Sequence, residues 1–236
     1  MPGQGVVVTG ASSGIGEAVA ARLVASGRHV LGVARSTATL EALRARLGPR
    51  FEPHPLDLAD PAAIDAWLDR LTQTHTRLRG LIHCAGVIVP GVLGSVAEAD
   101  LERMMAVNFQ GPYLLTNRLV PLLEAAGGDL IFINSSAALQ PAAGRSAYTA
   151  SKCALRALAD TARIELNPRG IRVASIYPGR TATPGMDALF AGEKRAYDPA
   201  LLLQPGDIAA EVIRIIDSPP HAEIMDVTLR PRAKSY

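Results

Sequence analysis

The fold is decided by one stretch near the start of the chain, residues 5–26, which reads GVVVTGASSGIGEAVAARLVAS. An apolar run of strand length, residues 5–9, leads into a turn that contains three glycines. A helical pattern begins directly behind that turn. Strand, glycine-rich turn and helix in this order begin a βαβ unit, in which the helix crosses back over the sheet. The stretch therefore predicts a parallel sheet covered by helices.

Outward from this stretch, apolar bursts of strand length alternate with longer segments of helical periodicity. Several bursts are continuous runs of Val, Ile and Leu, as expected where helices cover both faces of a strand. The alternation predicts an α/β fold, a Rossmann-type doubly wound sheet of seven mainly parallel strands with helices on both faces. The predicted strands are Gly5–Thr9, His29–Ala34, Phe51–Leu56, Gly80–Ala85, Asp129–Asn134, Ile171–Tyr177 and Glu223–Leu229.

No repeat, linker or low-complexity segment divides the chain, so residues 1–236 are expected to form a single domain. Its least regular segment, about residues 178–205, carries glycine, proline and mixed charge. Long irregular segments in compact domains are typically lids or binding loops, and we expect a substrate loop here. Helices are predicted at about Gly14–Ser26, Thr39–Leu47, Pro61–Thr74, Ala97–Ala125, Ala147–Asn167 and Asp207–Asp217.

Composition argues against several classes of protein. Apolar residues make up 48% of the chain, and a net charge of +2 leaves no basic surface for nucleic acid. Cys84 and Cys153 lie in apolar stretches, so we expect packed thiols in a reducing compartment. The histidines and cysteines lack metal-ligand spacing, so no metal is expected. Without a signal-peptide pattern or an apolar run of spanning length, we expect a cytoplasmic protein without a membrane segment.

The glycine-rich turn has the features of a phosphate-binding site. Gly10 permits a sharp turn, Gly14 lets the backbone approach a pyrophosphate, and Gly16 allows the helix to pack closely on the strand. Free N–H groups and the helix dipole attract anions there. An ordinary strand-to-helix turn is the alternative, but the order of elements favours a dinucleotide. The predicted cofactor contacts in the turn are Gly10, Ser12, Ser13, Gly14, Ile15 and Gly16.

The end of the second strand indicates which dinucleotide is bound. Such folds bind a ribose 2′-hydroxyl with an acidic side chain there, or a 2′-phosphate with an arginine. This strand continues into Arg35 and Ser36, and no carboxylate stands at that point. A guanidinium holds phosphate in a bidentate fork, and a hydroxyl adds a donor. A solvated arginine is the alternative, but the missing acid also argues against NAD, so NADP(H) is the predicted cofactor.

Tyr148 and Lys152 stand four residues apart in a predicted helix, so both side chains project from one face. An adjacent ammonium, assisted by the positive nicotinamide of an oxidised cofactor, stabilises phenolate and so lowers the pKa of a phenol from about 10, which suits proton transfer. Such pairs are also common on solvated helix faces. Here, however, the strand ending at Asn134 brings Ser135 and Ser136 to the sheet edge that carries the glycine-rich turn. A catalytic site at this edge is therefore favoured.

Together these motifs resemble the short-chain dehydrogenase/reductase family over nearly the whole chain, beginning with Gly-x-x-x-Gly-x-Gly preceded by Thr at residues 9–16. One stretch departs from the family: His83 and Cys84 stand where two asparagines are common. Asparagine bracing of the central sheet is therefore expected to be lost. The cofactor contacts that the resemblance implies outside the turn are Asp57, Leu58, Cys84, Ala85, Gly86, Tyr148, Lys152, Pro178, Gly179, Thr181 and Thr183.

The resemblance also implies catalytic roles. The family's catalytic serine lies thirteen residues before the tyrosine, which selects Ser135 and leaves Ser136 to cap the following loop. Asn108 matches the helix asparagine whose backbone kinks the helix and which holds a water linked to the lysine. The catalytic residues implied in this way are Asn108, Ser135, Tyr148 and Lys152.

The activity implied is that of an NADPH-dependent carbonyl reductase, in which hydride passes between NADPH and a carbonyl or secondary alcohol while Tyr148 acts as general acid or base. An NAD-linked alcohol dehydrogenase is the alternative among enzymes. A non-catalytic regulatory protein that senses NADP is the alternative outside them, although such proteins usually lack the Tyr/Lys pair. Substrate contacts are expected in Val87–Val96, Ala137–Ala147 and Pro184–Leu203.

A homo-oligomer is also expected. The predicted helix Ala147–Asn167 carries apolar residues on more than one face, whereas packing on the sheet alone needs a single stripe. A second copy would cover the other face, pairing through this helix and the segment Asn108–Ala125, as in related reductases. The prediction is a homodimer, or a homotetramer built from such dimers.

Overall fold

The computed structural model describes residues 5–232, and its centre is one sheet in which all neighbouring strands are parallel. The doubly wound sheet predicted from the sequence is thereby confirmed. The strands are β1 (Gly5–Thr9), β2 (Val30–Ala34), β3 (Phe51–Pro55), β4 (Leu78–His83), β5 (Asp129–Ile133), β6 (Arg172–Pro178) and β7 (Asp226–Leu229). They lie in the order β3-β2-β1-β4-β5-β6-β7.

The helices follow the predicted alternation. Most begin and end within a few residues of the predicted bounds, and the helix Pro61–Thr74 has the predicted start because the Asp60 carboxylate accepts the N–H of Ala63 while Pro61 begins the helix. Among residues 5–232, no helix combines the length and the apolar character that crossing a membrane requires. The helices are α1 (Gly14–Ala25), α2 (Thr37–Leu47), α3 (Pro61–Thr74), α4 (Glu98–Met105), α5 (Gly111–Glu124), α6 (Ser146–Leu166), α7 (Met186–Gly192) and α8 (Pro205–Ile216).

The apolar run of β1 serves two hydrophobic clusters, one on each face of the sheet. Val7 packs into a cluster with α3, α5 and α6, whereas Val6 and Val8 pack into a cluster with α1, α2 and α8. Side chains alternate between the faces of a strand, so a strand covered on both sides shows no polar alternation. Each Val or Leu buried in this way stabilises the fold by about 1.5–3 kcal/mol relative to exposure.

The strand order reverses between β1 and β4, and this reversal positions the functional site. Thr9 lies opposite His83, which in turn lies opposite Phe132 of β5. The residues that follow these strands, including Gly10 and Asn134, are therefore brought to one edge. Ligands of open α/β sheets bind at the carboxyl ends of the strands where the order reverses.

The prediction of one continuous helix over Ala97–Ala125 is wrong. A π-helical turn, Ala106–Gln110, separates α4 from α5, and the N–H of Gly111 reaches back to the carbonyl of Ala106. Asn108 lies inside this turn, and its buried side chain bonds to the backbone of Val87 instead of facing solvent. Single π turns in helices frequently mark functional sites.

The segment of about residues 178–205 is more regular than its composition suggests. It contains α7 and a 3-10 turn at Pro199–Leu201. With 7 residues, α7 is too short to show a clear helical period in the sequence. Leu189 and Phe190 are its buried residues, and they fix the helix against the body of the protein.

Candidate active site

A cleft of ≈ 380 Å³ lies at the carboxyl edge of the sheet, between the glycine-rich turn and the N-terminal end of α6. It brings together residues that are far apart in the sequence. Two predicted residues, Ser36 and Asn108, lie outside its lining. The predicted site residues that line it are Gly10, Ser12, Ser13, Gly14, Ile15, Gly16, Arg35, Asp57, Leu58, Cys84, Ala85, Gly86, Ser135, Tyr148, Lys152, Pro178, Gly179, Thr181 and Thr183.

The glycine-rich turn is packed so tightly that side chains have no room in it. A Cβ on Gly16 would lie 2.1 Å from the carbonyl oxygen of Gly10. Gly10 itself has a φ of +67°, and its Cβ would lie 2.8 Å from the backbone of Ala85. The backbone of α1 therefore approaches the cleft closely, as a site for a dinucleotide pyrophosphate requires.

Thr9 holds the turn against the end of β4. Its Oγ1 accepts the N–H of Cys84 at 3.1 Å and that of Ala85 at 3.2 Å. Thr9 is fully buried, so these bonds are shielded from water. The threonine thus sets the distance between the glycine-rich turn and the segment that begins at Cys84.

Of the two predicted residues that follow β2, Arg35 lines the cleft and Ser36 does not. Arg35 is exposed, so its guanidinium can reach a phosphate group there. Ser36 instead begins α2, and its hydroxyl accepts the N–H of Thr39 at 3.2 Å. Asp57 also lines the cleft, where its carboxylate accepts the N–H of Ala59.

Ser135 follows β5 with extended backbone, at φ −159° and ψ 149°. Its Oγ accepts the N–H of Ala137 at 3.1 Å, while its own N–H donates to the side-chain oxygen of Asn134 at 2.9 Å. The expectation that Ser136 supplies the capping hydroxyl is wrong, because Ser135 does so. A hydroxyl held in this way keeps its own proton available for an acceptor in the cleft.

Tyr148 lies in the first turn of α6, beside Ser135. Burial raises the pKa of its phenol, while the Ser135 hydroxyl and the charge of Arg145 act in the opposite direction. Lys152 does not contribute to this shift, since its ammonium donates to the carbonyl of Ile133 at 3.2 Å, and the lowering expected from Lys152 together with an oxidised nicotinamide stays a prediction. The phenol is therefore protonated at neutral pH, and its O–H is a hydrogen-bond donor in the cleft.

Lys152 is almost completely buried, with 3% of its surface exposed. Burial lowers its pKa to about 8, and the nearby Cys84 acts in the opposite direction. An ammonium has three donors, and the bond to Ile133 uses one of them. Because Lys152 also lines the cleft, its remaining donors are available to a ligand there.

Asn108 supports the cleft from below. Its side chain donates to the carbonyl of Val87 at 2.9 Å and to the hydroxyl of Ser151 at 2.9 Å, and it accepts the N–H of Val87 at 2.8 Å. Two of these bonds hold Val87, which follows Gly86, and the third joins Asn108 to α6. A Cβ on Gly86 would lie 3.5 Å from both the Asn108 Oδ1 and the Lys152 ammonium. Asn108 therefore positions the wall beside Lys152.

His83 supplies a brace where loss of bracing was expected. Its Nε2 lies 3.0 Å from the Thr116 hydroxyl of α5, and its ring stacks on Phe132 at 5.1 Å between centroids. Burial and the charge of Lys152 lower its pKa to about 3, so the ring is neutral. His83 therefore links β4 to α5 and β5, in place of the asparagine that is common at this position in the family.

Of the two cysteines, only Cys84 is packed as expected, against the hydrophobic cluster of α1, α2 and α8. Cys84 is half-buried at the cleft wall, where burial raises the pKa of its thiol. Cys153 is exposed, although its sequence neighbours are apolar, because it lies on the outward face of α6. The expectation of a packed thiol is therefore wrong for Cys153.

Sequence reasoning missed the charged residues of the cleft. Arg103, Arg145 and Arg180 all line it. Arg180 stands between the predicted cofactor contacts Gly179 and Thr181, and Arg145 stands in a segment expected to contact substrate. Arginines are common on surfaces, so nothing in the sequence shows that these side chains share one cleft.

A glycine-rich dinucleotide cleft with Ser, Tyr and Lys at the carboxyl edge of a parallel sheet defines a class, the nicotinamide-dependent oxidoreductases with a Rossmann-type fold. Comparison with known proteins narrows this class. A family model described as short chain dehydrogenase matches residues 4–194. The chain therefore belongs to the short-chain dehydrogenase/reductase family, and it is an oxidoreductase.

The chain is similar to several proteins of this class. Serine 3-dehydrogenase of Agrobacterium fabrum is 30% identical over 236 residues, which cover 98% of this chain and 95% of that protein. Glycine betaine reductase ATRR of Emericella nidulans is 32% identical over 240 residues, but this chain spans 19% of its length. The closed form of serine dehydrogenase complexed with NADP⁺ superposes with a TM-score of 0.90 at 27% identity, covering 99% of this chain and 97% of that one.

Proposed function

We propose that this protein transfers hydride between NADPH and a carbonyl or secondary alcohol substrate, with Tyr148 as general acid and base. The observation that carries this proposal is the shared cleft. Ser135, Tyr148 and Lys152 line the same ≈ 380 Å³ space as the glycine-rich turn. The relative named serine 3-dehydrogenase acts, by that name, on the hydroxyl of serine, a primary alcohol whose oxidation also gives a carbonyl group.

The cofactor is NADP(H), which supplies the hydride when it is bound. The backbone between Gly10 and Gly16 would hold the pyrophosphate at the start of α1. Arg35 would hold the 2′-phosphate, and Lys152 the nicotinamide ribose, through the donors that its bond to Ile133 leaves free. The NADP⁺ complex of the similar serine dehydrogenase supports this assignment.

The residues of this chain divide the chemistry between them. The hydroxyls of Ser135 and Tyr148 would hold the carbonyl oxygen, so that negative charge developing on it is stabilised. Tyr148 would then donate its proton to that oxygen. Lys152, with its pKa of about 8, would return a proton towards the phenol, and Asn108 would keep the wall beside it in place.

The experiment that tests this proposal replaces Tyr148 by Phe. The ring still packs, but the proton donor is lost, so kcat for NADPH-dependent reduction of a ketone panel should fall ~10²-fold or more. NADPH affinity, measured by quenching of protein fluorescence, should stay close to that of the wild type. Retention of more than about a tenth of kcat would contradict the role of Tyr148.

The matched control is Tyr113→Phe, since Tyr113 is 48% exposed on α5 and does not line the cleft. It should keep both turnover and NADPH affinity. The same assay run with NADH separates the proposal from an NAD-linked alcohol dehydrogenase. Tight NADPH binding without turnover of any substrate in the panel would favour a cofactor-sensing protein instead.

Three further expectations stay predictions. One is a single domain over residues 1–236, and another is a cytoplasmic location. The third is a homodimer, or a tetramer of dimers, which would pair through α5 and α6. Ala162, at 5% exposure, belongs to the core of the subunit, so a substitution by Arg there would damage the fold. Thr161→Arg on the exposed face is the better test, and light scattering should then report the mass of one subunit.

A further inference from the structure

A cluster of charged side chains lies at the substrate end of the cleft. Arg145, just before α6, donates to one oxygen of the Glu193 carboxylate at 2.5 Å. Arg180, just after β6, donates to the other oxygen at 2.6 Å. Two guanidinium groups from separate parts of the fold therefore hold one carboxylate that follows α7.

The charges of this cluster do not balance. Arg145 and Arg180 have side chains that are only 18% and 16% exposed, so they carry two largely desolvated positive charges. Glu193 supplies one negative charge for the two. Partly buried cations lacking matched anions are costly, which favours binding of an additional anion.

Arg180 also has an unused donor. Its Nη1 is buried and has no hydrogen-bond partner among residues 5–232. The guanidinium lies over the ring of Phe190, 4.5 Å from the centroid, which fixes its plane. Arg180 lines the cleft, so an oxygen acceptor on a ligand that displaces the groups covering Nη1 would satisfy a donor that residues 5–232 leave unpaired.

We propose that Arg145 and Arg180 form a carboxylate anchor, so that the carbonyl or alcohol substrate of this enzyme is an anionic acid. Glu193 holds the two guanidinium groups in place, and the substrate carboxylate takes up their remaining donors from the cleft side. This inference rests on the proposed function, because it assigns a substrate class to the same cleft.

The position of the anchor fits the proposed chemistry. Arg145 stands one helical turn before Tyr148, and its charge acts on the phenol. Arg180 directly follows Pro178 and Gly179, which line the cleft opposite α6. A carboxylate held between the arginines therefore lies beside the reacting oxygen, which suits a short acid whose carboxylate is a few bonds from its carbonyl.

Binding of matched acids and amides tests the anchor without requiring turnover. A panel of short aliphatic and aromatic carboxylates, each paired with its amide, is titrated by calorimetry into the enzyme saturated with NADP⁺. At least one acid should bind about tenfold more tightly than its amide, since a hydrogen bond to a charged group contributes roughly that much. The absence of any such preference across the panel would overturn the proposal.

The variants Arg145→Gln and Arg180→Gln should each reduce the preference for the acid, and together they should remove it. Arg195→Gln is the matched control, because Arg195 approaches the same Glu193 and Phe190 but does not line the cleft. It should leave the preference unchanged. An acid preference that survives in both single variants would show that the anion is bound elsewhere. Loss of NADP⁺ affinity with an unchanged acid preference would assign the arginines to the cofactor.

Repeating the titration in Tyr148→Phe separates this inference from the proposed function. The preference for the acid should persist there, while turnover is lost. Turnover that persists in this variant would contradict the catalytic proposal and leave the anchor standing. Equal binding of acids and amides would contradict the anchor and leave the catalytic proposal standing.

Discussion

The two ends of the cleft differ in whether backbone or side chains form them. At the cofactor end, the contacts come from backbone packed against backbone, as where Gly16 meets Gly10, and from the buried Thr9 hydroxyl. At the substrate end, they come from long side chains, with Arg145 and Arg180 joined through Glu193. At the cofactor end, the packing leaves no room for a side chain at Gly10 or Gly16. At the substrate end, substitution of a side chain can change which ligand is bound. A fold can therefore keep one cofactor site and serve many substrates.

Lys152 lies where the two ends meet, and its removal should have the largest effect. Lys152→Met should lower kcat ~10²-fold or more, because both the ribose donor and the proton return to Tyr148 are lost. Steady-state reduction with NADPH measures this loss. Lys194→Met, at an exposed site after α7, is the control and should keep its activity.

The same substitution should raise stability, which separates a functional lysine from a structural one. The pKa of Lys152 is about 8 in the folded protein and 10.5 ordinarily, so the unfolded chain binds more protons between these values. Wild-type stability should therefore rise between about pH 8 and pH 9, because the cost of burying the ammonium disappears, whereas above pH 9 the raised pKa of the Cys84 thiol opposes the rise. Urea unfolding across this range should show the rise in the wild type and a flatter profile in Lys152→Met.

A pair of glycine substitutions tests the contrast between the two ends directly. Gly16→Ala places a Cβ 2.1 Å from a carbonyl oxygen, and overpacking of this kind costs about 1–3 kcal/mol. NADPH affinity should fall together with the midpoint of thermal unfolding. Gly192→Ala, at the end of α7, meets no atom within 4 Å and should be neutral or stabilising by up to about 1 kcal/mol. Equal effects of the two would contradict the contrast.

These differences also explain which features were predictable from the sequence. The sheet was predictable because Val6, Val7 and Val8 must face two covered sides, and this requirement shows in the sequence itself. The glycine-rich turn was predictable because its conformation admits few residue types. In both places a local requirement, burial on two faces or an unusual backbone conformation, restricts which residues can occur, and the restriction is visible in the sequence.

Other features depend on contacts between distant segments. The π turn forms where Asn108 bonds to Val87, 21 residues away, and no periodicity records that partner. The Arg145–Glu193 contact joins residues 48 apart. The exposed position of Cys153 likewise depends on how α6 is rotated against the sheet. Tertiary packing decides each of these, and local sequence patterns do not report it.

Arg35→Asp should have a smaller effect, confined to the cofactor end. It replaces the proposed partner of the 2′-phosphate with an acid suited to a ribose hydroxyl. The ratio of kcat/KM for NADPH to that for NADH should fall about tenfold or more, since a charge-assisted contact is lost. Ser36→Ala is a useful comparison, because its hydroxyl caps α2 and should affect stability more than cofactor choice. An unchanged ratio in Arg35→Asp would place the phosphate site elsewhere.

The smallest expected effect is a loss of local stability at low pH that is confined to α7, at the substrate end of the cleft. Burial raises the pKa of Glu193, but its hydrogen bonds to Arg180 and Arg145 outweigh this and lower the pKa from 4.5. A carboxylate with a lowered folded pKa contributes stability that is present above pH 4.5 and is lost as the pH falls below it. Hydrogen exchange of the α7 amides should therefore accelerate on acidification, while that of α1 changes less.

Glu193→Gln should show the faster exchange already at neutral pH, and Asp187→Asn, on the exposed side of α7, should follow the wild type. If α1 and α7 lost protection together in the wild type, the ion pairs would not be what holds the substrate end in place.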